Sequence, residues 1–169
     1  ADFSLPGGLA ARAAGTTLFF LARPNAPTAN GFPLDQLRDL CRQYSGIVWI
    51  DEAYVDFASD DALALVREFE NVIVSRTFSK SFSLAGLRLG LAFARPELVA
   101  EMMKVKDSYN VNMLTQAAGI AALEDIAYMR ERAGEIRRTR EWVAGRLREL
   151  GCAVTASEAN FLLVRPPRV

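Results

Sequence analysis

A chain of 169 residues, 51% hydrophobic and 24% charged, is long enough to bury one sizeable core. Its 20 basic and 20 acidic side chains cancel, so no global field favours nucleic acid or an anionic membrane surface. Histidine is absent, which removes histidine triads, Cys-His dyads and His-ligated zinc, and leaves acid-base work to Lys, Tyr, Asp, Glu or Cys.

TTLFFLA (16–22) is a β-branched and aromatic run without polar alternation, as expected of a strand buried on both faces. RPNAPTANGFP, with its prolines, asparagines and glycine, reads as loop. LDQLRDLCRQY (34–44) then puts Leu34, Leu37, Leu40, Cys41 and Tyr44 on one helical face. GIVWID (46–51) is a second buried strand, ALALVREF (62–69) a short helix and NVIVSR (71–76) a third strand. Strand, helix, strand, helix, strand at such intervals predicts βαβ units and a mostly parallel α/β sheet with helices on both faces. GLAFA (90–94) adds a further strand.

Helices are expected over 96–107, opened by Pro96, over 114–125, and from Ile126 to about Leu150, where seven arginines and four glutamates predict a solvated face with intrahelical ion pairs. Gly151 stops that helix. CAVTAS and NFLLVR read as two strands of a smaller α+β unit that ends before a full sheet can form. No apolar run approaches the about 20 residues that span a bilayer, and ADFSLPGGLAARAAG lacks the marks of a signal peptide. Two distant cysteines, Cys41 and Cys152, fit a reducing compartment, so a cytoplasmic location is expected, without membrane or nucleic-acid partners.

Ligands of open parallel sheets bind beyond the carboxyl ends of strands, at a switch point in strand order. By that rule the first strand feeds Asn25 and Thr28, and the second ends at Asp51 with Tyr54 close behind. The third feeds Ser75, Thr77, Ser79 and Lys80. Any one of these has a plain structural use: a strand-end acid caps a turn, and most lysines are solvated. Asp60 and Asp61 read as a loop or helix start, and Asp51 and Glu52 point to opposite faces, so neither pair makes a carboxylate dyad. Amine, acid, phenol and hydroxyls on one rim are instead the set used by Schiff-base chemistry on pyridoxal phosphate. Ser79 and Arg88 flank Lys80 at distances along the chain that allow them to hold a phosphate, and Gly86 allows a tight backbone path. No GxxxxGK[ST] supports a nucleotide P-loop.

SRTFSKSFSLAGLRLG, with DEAYVDF before it and DSYNVNMLTQAAGIAAL after it, resembles the fold-type I aminotransferases that depend on pyridoxal phosphate, nearest the histidinol-phosphate aminotransferase group. The resemblance runs from about Leu18 to Pro167. It implies Lys80 as the Schiff-base lysine that shuttles the substrate proton, Asp51 against the pyridine nitrogen, and Tyr54 on the cofactor's phenolic oxygen. Ser79 and Arg88 would hold the phosphate, with Ser75 or Thr77 as weaker candidates nearby. It further implies an amino donor and a 2-oxo acid as substrates, here histidinol phosphate and 2-oxoglutarate, and a homodimer. The family loop P-N-N-P-T-G stands here as Pro24-Asn25-Ala26-Pro27-Thr28-Ala29, so Asn25 substitutes for the asparagine replaced by Ala26, or Tyr54 bears that contact alone. Members of the family are longer than this chain, which therefore reads as a fragment: 1–125 as the latter part of the large cofactor-binding domain, 126–150 as a connecting helix, and 151–169 as the start of a truncated small domain. The competing readings are a decarboxylase of the threonine-phosphate type, an aminotransferase for another substrate such as an aromatic amino acid, and a cofactor-free, inert fragment.

Overall fold

The computed structural model of the protein describes residues 3–167. After a single helical turn, α1 (Leu9–Arg12), the chain lays down β1 (Leu18–Ala22), β2 (Ile47–Asp51), β3 (Val72–Thr77) and β4 (Gly90–Phe93) as adjacent strands in that order. β1, β2 and β3 are parallel, and β4 pairs antiparallel with β3. Parallel neighbours need a crossover, which α2 (Leu34–Gln43) and the short α3 (Leu65–Glu68) supply. This is the expected mostly parallel α/β sheet. No reversal of strand order occurs among these four strands, so the strand ends, rather than a switch point, define the rim.

The apolar stripe of α2 packs as its spacing predicts. Leu37, Leu40, Cys41 and Tyr44 are buried against Val48, Ile50, Val72, Val74 and Leu65. Asn71 Nδ2, 3.0–3.2 Å from the carbonyl oxygens of Cys41, Tyr44 and Gly46, ties the end of α2 to the start of β3. Gly46 is required at that corner because a Cβ there would meet the Thr17 carbonyl oxygen at 2.5 Å.

The other face of the sheet is open. Leu18 is 42% and Phe20 64% exposed, which corrects the expectation that the first strand is buried on both faces. A run such as LFFLA carries no period that marks which face has a neighbour. Tilted packing of Phe20 on Trp49, with ring centroids 5.4 Å apart, partly shields this side.

α4 (Pro96–Val105) buries no residue, and α5 (Met113–Glu124), capped by the Asn112 side chain on the Thr115 N–H, buries only Thr115 and Gly119. α6 (Ile126–Glu149) buries Met129, Ala133 and Ala144 and carries the expected ion pairs, Arg132 with Glu131 and Glu135, Arg140 with Glu141, Arg146 with Glu149. Gly151, at φ +81°, ends it with its N–H on the Arg148 carbonyl, as expected. The two last predicted strands shrink to β5 (Ala153–Val154) and β6 (Val164–Arg165), because the residues between them turn back onto the sheet's rim.

Candidate active site

Asp51 and Glu52, consecutive at the end of β2, take opposite sides as the strand alternation requires. Asp51 is exposed. Its Oδ1 accepts from the Ala53 N–H at 3.1 Å and from the Ser75 hydroxyl at 3.4 Å, while Ser75 Oγ itself accepts from Trp49 Nε1 at 2.9 Å. Ser75, a weaker phosphate candidate by sequence, is therefore bound up with the carboxylate.

Tyr54 enters the single 3₁₀ turn Val55–Phe57 just beyond Asp51. Lys80 Nζ lies over its ring, 5.1 Å from the centroid. At the end of β3, Thr77 Oγ1 accepts from the Ser79 N–H at 3.1 Å and lies 3.0 Å from Ser79 Oγ, a local turn that orients the hydroxyls ahead of the lysine. Just after Lys80, the buried Ser81 hydroxyl donates to Asp56, which locks the lysine loop to the turn that carries Tyr54. The structure thus brings Asp51, Tyr54, Thr77, Ser79 and Lys80 to the ends of β2 and β3.

Arg88 and Asn25 are placed differently. Arg88 shares a cleft with Asn110, Asn112 and Thr115, and its Nη1 donates to the Ala85 carbonyl at 2.8 Å rather than hydrogen-bonding Ser79. The left-handed residue of this turn is Arg88 itself, φ +53°, rather than Gly86. Asn25 donates from Nδ2 to Thr28 Oγ1 at 2.6 Å, which keeps its amide within its own loop. Ala29, where the family loop has glycine, is fully buried at φ +66°.

Two parts of this rim had no sequence expectation. Glu52 is buried between Arg76, at 2.8 Å, and Arg23, at 4.0 Å, and accepts from the Ala62 N–H at 2.5 Å. Burial pushes its carboxyl up, while the Ala62 N–H and the Arg76 guanidinium pull it back. Asp60 completes the pairing of Arg23, and Asp61 that of Arg76 at 3.2 Å, so the two acids serve as counter-ions, not as a dyad. One ion network thereby joins the chain just beyond β1 and β2 to β3. The second part is the segment between β5 and β6. Phe161 packs edge-on to Tyr54, centroids 5.1 Å apart, and the Glu158 N–H donates to the Ala29 carbonyl at 2.7 Å. From α6, Arg140 donates to the carbonyls of Phe57 at 3.2 Å and Ala159 at 2.8 Å. Only a polar cluster, SEAN, before an aromatic hinted at this in the sequence.

The donor set fits pyridoxal phosphate: an exposed carboxylate for the ring nitrogen, a phenol beside an amine, and hydroxyls at a strand end. Groups of three or more His, Cys, Asp or Glu that could hold a metal are absent among the described residues.

Comparison with known proteins agrees with this chemistry. A family model for aminotransferase class I and II matches residues 8–168. A histidinol-phosphate aminotransferase of Citrifermentans bemidjiense is 50% identical over 150 residues, 89% of this chain and 43% of that protein. The chain thus spans less than half the length of the curated relatives it matches. The histidinol-phosphate aminotransferase of Sinorhizobium meliloti, solved in complex with pyridoxal-5'-phosphate, superposes with a TM-score of 0.86 at 29% identity, over 93% of this chain and 45% of that one. An L-threonine-O-3-phosphate decarboxylase of Porphyromonas gingivalis shares the fold, with a TM-score of 0.82 at 20% identity over 93% of this chain and 50% of that one.

Proposed function

Because the chain belongs to the class I and II aminotransferase family, we propose that the protein carrying it transfers an amino group between histidinol phosphate and 2-oxoglutarate with the help of pyridoxal phosphate. The observation that carries this reading is Lys80 lying over the Tyr54 ring just past the ends of β2 and β3, on the rim where Asp51 closes β2. Support for the substrate comes from the relatives at about half identity, which are named histidinol-phosphate aminotransferases. The decarboxylase reading has the likeness of fold alone.

When bound, pyridoxal phosphate supplies a protonated ring that withdraws electrons from the substrate's α-carbon. Lys80 Nζ would hold the cofactor covalently and, once the substrate's own amine has displaced it, would be free to accept and return the α-carbon proton. Asp51, through its carboxylate, keeps the ring-nitrogen proton in place, and the Tyr54 hydroxyl donates to the ring's phenolic oxygen. Thr77 and Ser79 offer hydroxyls to the phosphate, and Arg88 a two-pronged cation from its neighbouring cleft. Asn25 stands second to Tyr54 as a cofactor contact, since its amide is already engaged by Thr28. The Tyr54 ring below Lys80 also screens the amine from water on one side.

The chain is further proposed to divide into a cofactor domain up to about residue 125, the connecting helix α6, and a small domain from Gly151. The whole protein is proposed to work as a homodimer; its free thiols, Cys41 and Cys152, accord with a reducing cytoplasm. Borohydride treatment after addition of pyridoxal phosphate should leave a stable adduct that mass spectrometry maps to Lys80, and Lys80→Ala should remove it. Equal labelling of the variant would sink the assignment, and no labelling of the parent would favour a cofactor-free protein. Amino-donor kinetics on the full-length protein then distinguish histidinol phosphate from aromatic amino acids.

A further inference from the structure

Asp51 is held unusually well for an exposed side chain. Past the last residue of β2 the backbone ladder continues on both sides: the Arg23 N–H donates to the Asp51 carbonyl at 2.8 Å, and the Glu52 N–H to the Ser75 carbonyl at 2.8 Å. The Cα of Asp51 is therefore fixed, and the freedom left is rotation of the carboxylate about its side-chain torsions. Ser75 sits directly across from it in the β2–β3 pairing. Trp49, two residues earlier in β2, shares that face.

Donor counting sets the direction of the hydrogen bonds. An indole N–H can only donate, and a serine hydroxyl has one proton. Trp49 Nε1 donates to Ser75 Oγ at 2.9 Å, so the Ser75 proton is left for Asp51 Oδ1, at 3.4 Å. The Ala53 N–H reaches the same oxygen from the other side. Oδ1 is thereby occupied from two directions, whereas Oδ2 takes no hydrogen bond among the described residues. Phe20 in turn backs the Trp49 ring from β1. Thr77, the other hydroxyl on this strand end, is engaged with Ser79 and serves a different part of the rim.

We propose that Ser75, its hydroxyl turned by Trp49, is the positioning residue that aims Asp51 Oδ2 at the ring nitrogen of the cofactor. This rests on the reading of Asp51 as the partner of that nitrogen. Ser75 does not touch the cofactor; it acts by removing the rotamers in which the carboxylate looks elsewhere, and Trp49 acts one step further back.

The test uses the full-length protein and pyridoxal phosphate labelled with ¹⁵N in the ring. In the cofactor-free protein, Ser75→Ala should shift the Trp49 indole N–H resonance and leave that of Trp142 in place. With cofactor bound, Ser75→Ala and Trp49→Phe should each move the ring-nitrogen resonance towards its unprotonated position and weaken cofactor affinity by about tenfold, the scale of one lost hydrogen bond to a charged group. Ser75→Thr, which keeps the hydroxyl, should restore both, and Asp51→Asn should give the full spectral change. Trp49→Phe serves if Ser75→Ala fails to fold. An unchanged ring-nitrogen resonance in Ser75→Ala and Trp49→Phe, beside a large change in Asp51→Asn, overturns the positioning role. No change even in Asp51→Asn overturns the assignment of Asp51, and with it this inference, while the borohydride adduct at Lys80 would still stand.

Discussion

The two sides of one strand end treat neighbouring carboxylates in opposite ways. On the covered side Glu52 is sealed from water, with arginines from just after β1 and from β3 closing on it. On the open side Asp51 meets solvent and is held only by a serine hydroxyl and a turn N–H. The first arrangement fixes where the strand ends lie, and the second leaves a charged oxygen available for chemistry. A rim built this way keeps its rigidity and its reactivity on separate faces, so that neither has to be given up for the other.

Glu52→Ala is the largest break that can be made in this contrast. Arg23, whose side chain is 3% exposed, would lose one of its acids while remaining buried. Breaking a buried ion pair from one side costs roughly 3–5 kcal/mol, and urea unfolding should read a loss of that order. Asp51→Asn should change stability by no more than about 0.5 kcal/mol, as for most surface substitutions, while cofactor affinity falls further than in Ser75→Ala. A similar stability loss in both variants would erase the distinction between the faces.

Arg140→Ala comes next. Its guanidinium joins the carbonyls of Phe57, beside the Tyr54 turn, and Ala159, in the segment that carries Phe161. Removing it takes the guanidinium from the Phe57 carbonyl and leaves the Ala159 carbonyl only a long contact from Ser157 Oγ, at 3.4 Å, which should cost about 1–3 kcal/mol. Faster amide exchange over residues 157–161, with the β1–β3 core unchanged, would show that the segment is latched to the rim rather than folded with it.

Apolar exposure is not confined to the sheet: α5 carries its own. Met113 is 82%, Leu114 80% and Ile120 60% exposed, an apolar surface that favours self-association. Light scattering of the chain alone should exceed the monomer mass, and Leu114→Glu should reduce it. A well-behaved monomer in both would count against self-association through α5.

Much of this was legible in the sequence, for identifiable reasons. Asp51, Tyr54 and Lys80 could be placed together because short buried strands end in polar residues, and the parallel pairing puts those ends side by side. The stripe of α2 followed from spacing alone. Ser75 was placed on this rim, but its pairing with Trp49 and Asp51 was not foreseen, since a sequence does not show which hydroxyl an indole N–H will reach across two strands. Arg23 with Glu52, and Tyr54 with Phe161, are pairings between residues far apart in the chain, and no periodicity announces them. The open face of β1 escaped for a related reason: apolar content measures how much can be buried, not what is there to bury it.

The smallest perturbation probes the covered face without changing a residue. Cys41 is 3% exposed on the inner side of α2, and burial pushes its thiol up to about 11. At pH 8 that leaves about one thiolate in a thousand, and the thiolate is the reactive form. Half-buried Cys152 should therefore take a maleimide or disulfide reagent first. Cys41 should remain silent until denaturant opens the core, and at each denaturant concentration its labelling should follow unfolding measured by fluorescence. Labelling of Cys41 well below that transition would mean that α2 detaches locally from β2 and β3, and the covered face would then be no firmer than the open one.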